Sequence, residues 1–234
     1  MMNLLKWYWG TWWQIMVRPI YFYAKLAEEN WKEKSYSFFL VTAWLLSFAM
    51  TLAIFFFQYL PIGQTLIEGI VGYKFILIMP VMITLAFVFF LITFFILAGL
   101  LVVGVTAAFF VLSYVFHYVY LLLGGKGSVE RTLQCVFYSS AFLLGAFLMV
   151  IVAFLTRYEL LSFELFRVGC NFIFVLMIVY VYGIWAVVGR RVYGVPKWKA
   201  FAGALVPVVI MLIFVFVFDK IGMERLKSWI TPLK

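Results

Sequence analysis

Few side chains in this sequence are equipped for chemistry, and they do not converge. His117 is the only histidine, one helical turn from Ser113 inside a long apolar run. Haem and metal sites need several ligands meeting at one point. The only two cysteines, Cys135 and Cys170, fall near opposite ends of one expected span, roughly 30 Å apart. They make neither an intrachain disulfide nor a site with His117, so no cofactor or metal is expected. An ionisable group at membrane depth is a functional candidate by default, as a proton or substrate contact. The competing reading, a hydrogen-bonded structural or interfacial histidine, is the one adopted for His117. Asn171, Gln58, Thr84, Thr93, Thr106, Ser139 and Ser140 are the remaining polar groups at or near membrane depth. Helix-to-helix hydrogen bonds of about 0.6–2 kcal/mol each account for them. Asp and Glu are missing between 75 and 123 and from the later expected spans, where an ion-coupled transporter would carry them. The His, Asp, Glu or Ser/Lys constellations of a membrane-embedded enzyme are missing too, so catalysis is not expected.

Two loops stand out. Gly124-Gly-Lys-Gly-Ser128 superficially suggests a phosphate loop. The Walker pattern, however, places four residues between its first glycine and Gly-Lys-Ser/Thr and is preceded by a strand. Here Gly127 follows Lys126 and a membrane helix precedes the loop. Gly124, Gly125 and Gly127 are better read as a helix stop and tight turn. Ser128 then caps the next helix, with Arg131 where a capping box would place Glu or Gln, and Thr132 follows. The second loop holds Arg190, Arg191, Gly194, Lys197 and Lys199. It reads as a helix-end basic pair and a turn facing anionic lipid head groups, or as a docking site for an acidic partner surface.

The elements that position these loops follow from composition. Of 234 residues, 68% are hydrophobic and 12% charged, against roughly 25% charged in soluble domains. Apolar surface in runs this long is buried by lipid or by a large partner, which excludes a soluble domain, a disordered tail and a disulfide scaffold. The net charge of +9 comes from residues flanking the apolar runs, where Lys and Arg set topology and meet head groups; nucleic acid is not an expected partner. The fold class is all-α: a polytopic transmembrane helical bundle of about six spans, with five as the alternative.

Residues 1–37 mix five tryptophans with five cations and fit an interfacial helix, broken at Pro19, with Leu5, Tyr8, Trp12 and Ile15 along one side. A partner-docking helix is its alternative role. The transmembrane domain is 38–218. Its first span runs from Phe38 to Leu60 and ends at Pro61. The uncharged stretch 75–123 would be roughly 73 Å long as one helix, more than twice the hydrocarbon core, so a hairpin near Gly99–Gly104 is expected. Further spans are expected at 133–155, 170–189 and 201–218, with a short interfacial helix over Thr156–Gly169 and an amphipathic tail over 219–234. Lys and Arg divide eleven to seven in favour of a cytoplasmic N-terminus, and do so whether 75–123 crosses once or twice.

The stretch from Leu122 to Ala141, with its Gly-rich turn, Ser128, Thr132-Leu133 and Tyr138-Ser-Ser140, resembles the Yip (Ypt/Rab-GTPase-interacting protein) membrane domain family. Trp185 to Ala200, followed by Pro207, is similar to the family's second signature. With the spans between, the resemblance covers about 75–218, and Arg18-Pro19 ahead of a first span fits bacterial members. Phe142 stands where the family usually has proline shortly after the Tyr-x-Ser element, which would remove a proline-dependent kink. Eukaryotic relatives are membrane adaptors for prenylated small GTPases. This chain lacks their long polar N-terminal domain, so the resemblance implies a bacterial-type protein of the inner (cytoplasmic) membrane, without a small GTPase partner. The family's topology puts both signature loops in the cytoplasm, which with six spans opposes the charge count. The resulting expectation is a non-catalytic scaffold or accessory subunit that binds one or more other membrane proteins, a larger complex included. A transporter, channel or lipid-handling protein acting on its own is the alternative. Gly124, Gly125, Gly127, Ser128, Arg131, Thr132, Arg190, Arg191, Gly194 and Lys197 are its expected partner or lipid contacts, with His117 and Asn171 as intramembrane polar groups.

Overall fold

A computed structural model describes residues 2–27, 29–68, 70 and 72–231. Among these the chain forms seven helices. The first two are α1 (Met2–Val17) and α2 (Pro19–Lys25). Five long apolar helices follow: α3 (Lys34–Ile67), α4 (Tyr73–Leu122), α5 (Val129–Arg157), α6 (Phe163–Tyr193) and α7 (Lys197–Ile230). The bundle is therefore the five-span alternative, and the N-terminus shares one end of it with the loops at 123–128 and 194–196.

The expected hairpin at Gly99–Gly104 does not form, and α4 continues through both glycines for 50 residues. A single glycine costs a helix only about 1 kcal/mol. Opening a turn there would strip several N–H and C=O groups of partners where no water can replace them. Proline is absorbed in the same way. Pro61 does not end α3; the helix widens into a π turn over Phe55–Tyr59 and continues to Ile67. The wider turn makes room for the proline ring and its missing N–H. A second π turn, Phe218–Gly222, lets α7 run on through Asp219, so the expected tail over 219–234 continues α7 up to Ile230, and its residues 232–234 lie outside the described residues. Between α5 and α6 the chain turns at 158–162, and Ser162 caps α6 by accepting from the Leu165 N–H at 3.3 Å. Residues 163–169 thus begin a span and form no interfacial helix.

Within α5, Ser140–Gly145 tightens to a 3₁₀ stretch around Phe142. The helix is thus locally irregular at the position of Phe142. Two indole groups brace it: Trp12 Nε1 donates to the Ala141 carbonyl at 3.1 Å and Trp185 Nε1 to Ser139 Oγ at 3.3 Å.

The N-terminal helix lies across the bundle. Tyr8 hydrogen-bonds Thr42 at 2.8 Å, Trp12 reaches Ala141, and Tyr180 donates to the carbonyls of Ile15 at 2.6 Å and Met16 at 3.0 Å. These partners sit roughly 12–20 Å below the helix ends at a rise of 1.5 Å per residue. α1 thus packs along the sides of the spans, below their ends, rather than extending away from the bundle. Tyr8, Trp12 and Ile15 face the protein as their spacing suggests, whereas Leu5 joins Trp9, Trp13 and Val17 on the exposed side. Burial pushes the Tyr8 hydroxyl up to about 12, so it stays a neutral partner for Thr42.

At the opposite end, Asp219 accepts from Arg167 Nε at 2.8 Å and Nη2 at 2.7 Å, and from Asn171 Nδ2 at 2.9 Å. This clamp ties α6 to α7, and the bidentate geometry makes it the strong form of such a pair. Cys135 and Cys170 are both buried free thiols. A single crossing by α4 has a direct test. Cysteines replacing Lys74 and Lys126, in a background without Cys135 and Cys170, should react with an impermeant maleimide from opposite faces of the membrane. A cysteine at Gly104 should react from neither, whereas a hairpin would expose it from one.

Candidate functional site: the joined signature loops

The 124–132 and 190–199 segments form one structure built around two tyrosines. Tyr120, in the last turn of α4, stacks on Tyr193, the last residue of α6, with ring centroids 5.0 Å apart and planes inclined by 17°. Both rings are buried. Backbone approaches them so closely that several neighbouring positions have no room for a side chain. A Cβ on Gly189 would overlap the Tyr120 ring, and one on Gly203 would come within 2.7 Å of it. At Gly125 and Gly127 a Cβ would come within 2.7 and 2.6 Å of Tyr193.

The helix ends beneath these rings close on each other. Gly124 takes φ +86, and the Gly125 N–H returns to the Tyr120 carbonyl at 2.8 Å, terminating α4 as the Gly pair suggests. Gly194, at φ +67, ends α6 in the left-handed conformation. The Tyr193 carbonyl at that end accepts from the Lys126 N–H at 3.0 Å, so one loop satisfies the other's helix terminus. Lys199 Nζ donates to the Leu123 carbonyl at 2.8 Å, and Tyr120 OH to the Ala200 carbonyl. Ser128 caps α5 by accepting from the Arg131 N–H at 3.2 Å.

A polar chain runs under the loops. His117 Nδ1 lies 2.9 Å from Tyr193 OH, which lies 2.5 Å from Thr132 Oγ1. His117 is thus hydrogen-bonded at the platform end of the bundle, and Asn171 sits apart from it on the Asp219 clamp at the other end.

Arg131 acts on the N-terminal region. Its guanidinium donates to the carbonyls of Leu26 and Ala27 just past α2, and Gln134 Nε2 donates to Ala27 at 3.0 Å. Positive charge at a helix C-terminus is also favoured by the helix dipole. Tyr23 OH adds a longer bond, 3.4 Å, to the Cys135 carbonyl.

The ten loop candidates therefore separate by burial. Gly125 and Thr132 are buried, Gly127 is half-buried under the Tyr193 ring, and Arg131 is half-buried and spent on the α2 end. Gly124, Ser128, Arg190, Arg191, Gly194 and Lys197 are exposed, together with Lys126 and Trp198, the latter 67% exposed. The residues that organise the site, Tyr120, Tyr193, Gly189 and Gly203, are absent from the sequence candidates. Their signal is faint: a tyrosine near the C-terminal end of each of two spans, facing glycines elsewhere.

A bundle of long apolar helices carrying a basic, glycine-built platform at one end defines an integral membrane protein of the polytopic α-helical class. The chain matches the Yip1 domain family model over residues 13–218 and belongs to that family. The match begins at Trp13, in the last turns of α1, and takes in α2 and α3, so it extends the 75–218 resemblance toward the N-terminus. No curated protein and no solved structure matches the chain.

Gly189→Ala should overpack the Tyr120 ring and lower stability by about 1–3 kcal/mol. Thermal unfolding in a mild detergent should show it. Tyr193→Phe, which keeps the stack and loses two hydrogen bonds, should cost less, about 1 kcal/mol.

Proposed function

We propose that this protein is a non-catalytic membrane scaffold or accessory subunit, which receives another membrane protein on the basic platform formed by its two loops. The observation that carries this reading is the division of labour within the platform. The buried residues and the half-buried Gly127 fix its shape, while Arg190, Arg191, Lys126 and Lys197 present cations from a surface that needs no partner to form. Preorganisation of this kind lowers the entropy lost on binding. Trp198 beside the cations suits the head-group layer, where an acidic juxtamembrane segment of a partner and anionic lipid would compete for the same charges.

Orientation agrees with this role. With five spans, both loops share their end with the N-terminal cations, so eleven of the eighteen Lys and Arg lie there. The positive-inside rule then favours a cytoplasmic platform. The conflict between charge and family topology exists only for six spans. A bacterial inner-membrane location is part of the same proposal and rests on the resemblance of Arg18-Pro19, ahead of the first span, to bacterial members.

Arg190→Ala with Arg191→Ala should weaken recovery of co-purifying membrane proteins in a mild detergent, quantified by mass spectrometry, while leaving the melting temperature within about 1 °C of wild type. Arg131→Ala should do the reverse and lower stability by about 1–3 kcal/mol, because it removes the donor to the Leu26 carbonyl and leaves the Ala27 carbonyl to Gln134 alone. Recovery of the protein strictly alone under every mild condition would overturn the scaffold reading.

A further inference from the structure

At the end of the bundle away from the platform, a groove of about 300 Å³ lies between α3, α5 and the last two turns of α7. Met50, Ala53 and Phe57 form one wall, Met149 and Ala153 the other, and Trp229 the edge. No charged side chain lines it. Two local irregularities shape it. The π turn Phe55–Tyr59 carries Phe57 into the wall, and the π turn Phe218–Gly222 precedes the segment Met223–Ile230, which packs against α5 and α3. π turns of this kind occur frequently at functional sites. Polar contacts hold that segment in place from both sides: Gln58 Nε2 donates to the Trp229 carbonyl at 3.5 Å and Arg157 Nη1 to the Thr231 carbonyl at 2.8 Å.

We propose that this groove binds one acyl chain of an anionic phospholipid, with the phosphate held at Arg225. The lining admits hydrocarbon and offers nothing to a polar ligand. The walls are transmembrane helices, so the occupant comes from the bilayer. Charge complementarity selects the head group. Arg225 lies one helical turn before Trp229, on the same side of the segment, and both are exposed. Arg225 lies about 6 Å deeper along α7 than Trp229, and its long side chain reaches outward to meet the head group of a chain lying beneath the indole. Lys227, on the other flank, is turned over the Phe163 ring at 5.6 Å, and Glu224 and Ser228 point away from the groove on the helical wheel. Arg225 is therefore the cation of this segment presented at the open edge. The site is independent of the scaffold reading and lies at the other end of the molecule.

The test uses the full chain in vesicles of phosphatidylcholine and phosphatidylglycerol containing a trace of phosphatidylglycerol with a photoactivatable acyl chain. Adducts mapped by mass spectrometry should concentrate on Met50 and Met149 relative to Phe95 and Ile96, exposed lipid-facing residues of α4 near the level of Met50. Ala153→Phe, which fills the groove, should cut groove labelling about tenfold and leave labelling at Phe95 and Ile96 unchanged. Ala53→Leu makes the same test with a smaller insertion if Ala153→Phe is not recovered folded. Arg225→Gln should reduce groove labelling to that given by the matching phosphatidylcholine probe. Groove labelling equal to that at Phe95 and Ile96, or unaffected by filling, would mean annular lipid contact only and overturn the site. Equal wild-type labelling by the two probes would overturn the head-group assignment.

Discussion

Inside hydrocarbon a polypeptide has no water to accept or donate the hydrogen bonds its backbone leaves unmade. Each interruption of a helix therefore has to be repaired internally. Pro61 and Asp219 are accommodated at or beside π turns, Pro80 and Pro207 inside continuing spans, and Gly99 and Gly104 in an unbroken helix. In water the prolines and glycines would be reasonable places to end a segment. Here each stays within a span, and the irregular turns supply the changes of direction that loops supply elsewhere. The apolar groove, the indole contacts to α5 and the five-span topology all follow from that constraint.

The loop platform shows a second use of close packing. Two large aromatic rings occupy the space where glycines leave it empty, and the loop backbones bond across the gap. The positive charges gain a fixed geometry without being buried themselves. Arg131 extends the arrangement to α2, coupling the N-terminal helices to the same end of the bundle. Shape is set by neutral groups and charge is left free, an economical division for a surface that faces head groups.

Class, helix content and most element positions were legible in the sequence, because long uncharged apolar runs have one physical outcome. The Ser128 cap, the glycine turn and the protein-facing stripe Tyr8, Trp12 and Ile15 were legible for local reasons: each depends on residues within a few turns. The continuous α4 was not. Length alone argued for a hairpin, whereas the cost of exposing backbone in lipid, which keeps the helix whole, leaves no mark in composition. The platform was half legible. Its cations and glycines stood out by type, but Tyr120 against Gly189 and Gly203 is a contact between distant segments that periodicity does not encode. The Arg167–Asp219 clamp was hidden in the same way, since Asp219 belonged to an expected tail until α7 proved continuous.

The placement of α1 makes the protein's contact with the surrounding membrane asymmetric. The five spans pass through both leaflets, but α1, with its exposed Trp9 and Trp13, adds its width, about 10 Å, to only one of them. The same helix that fastens the N-terminus to the bundle thereby offers its exposed indoles on one side of the protein's midplane only, with no counterpart helix lying across the other end among the described residues.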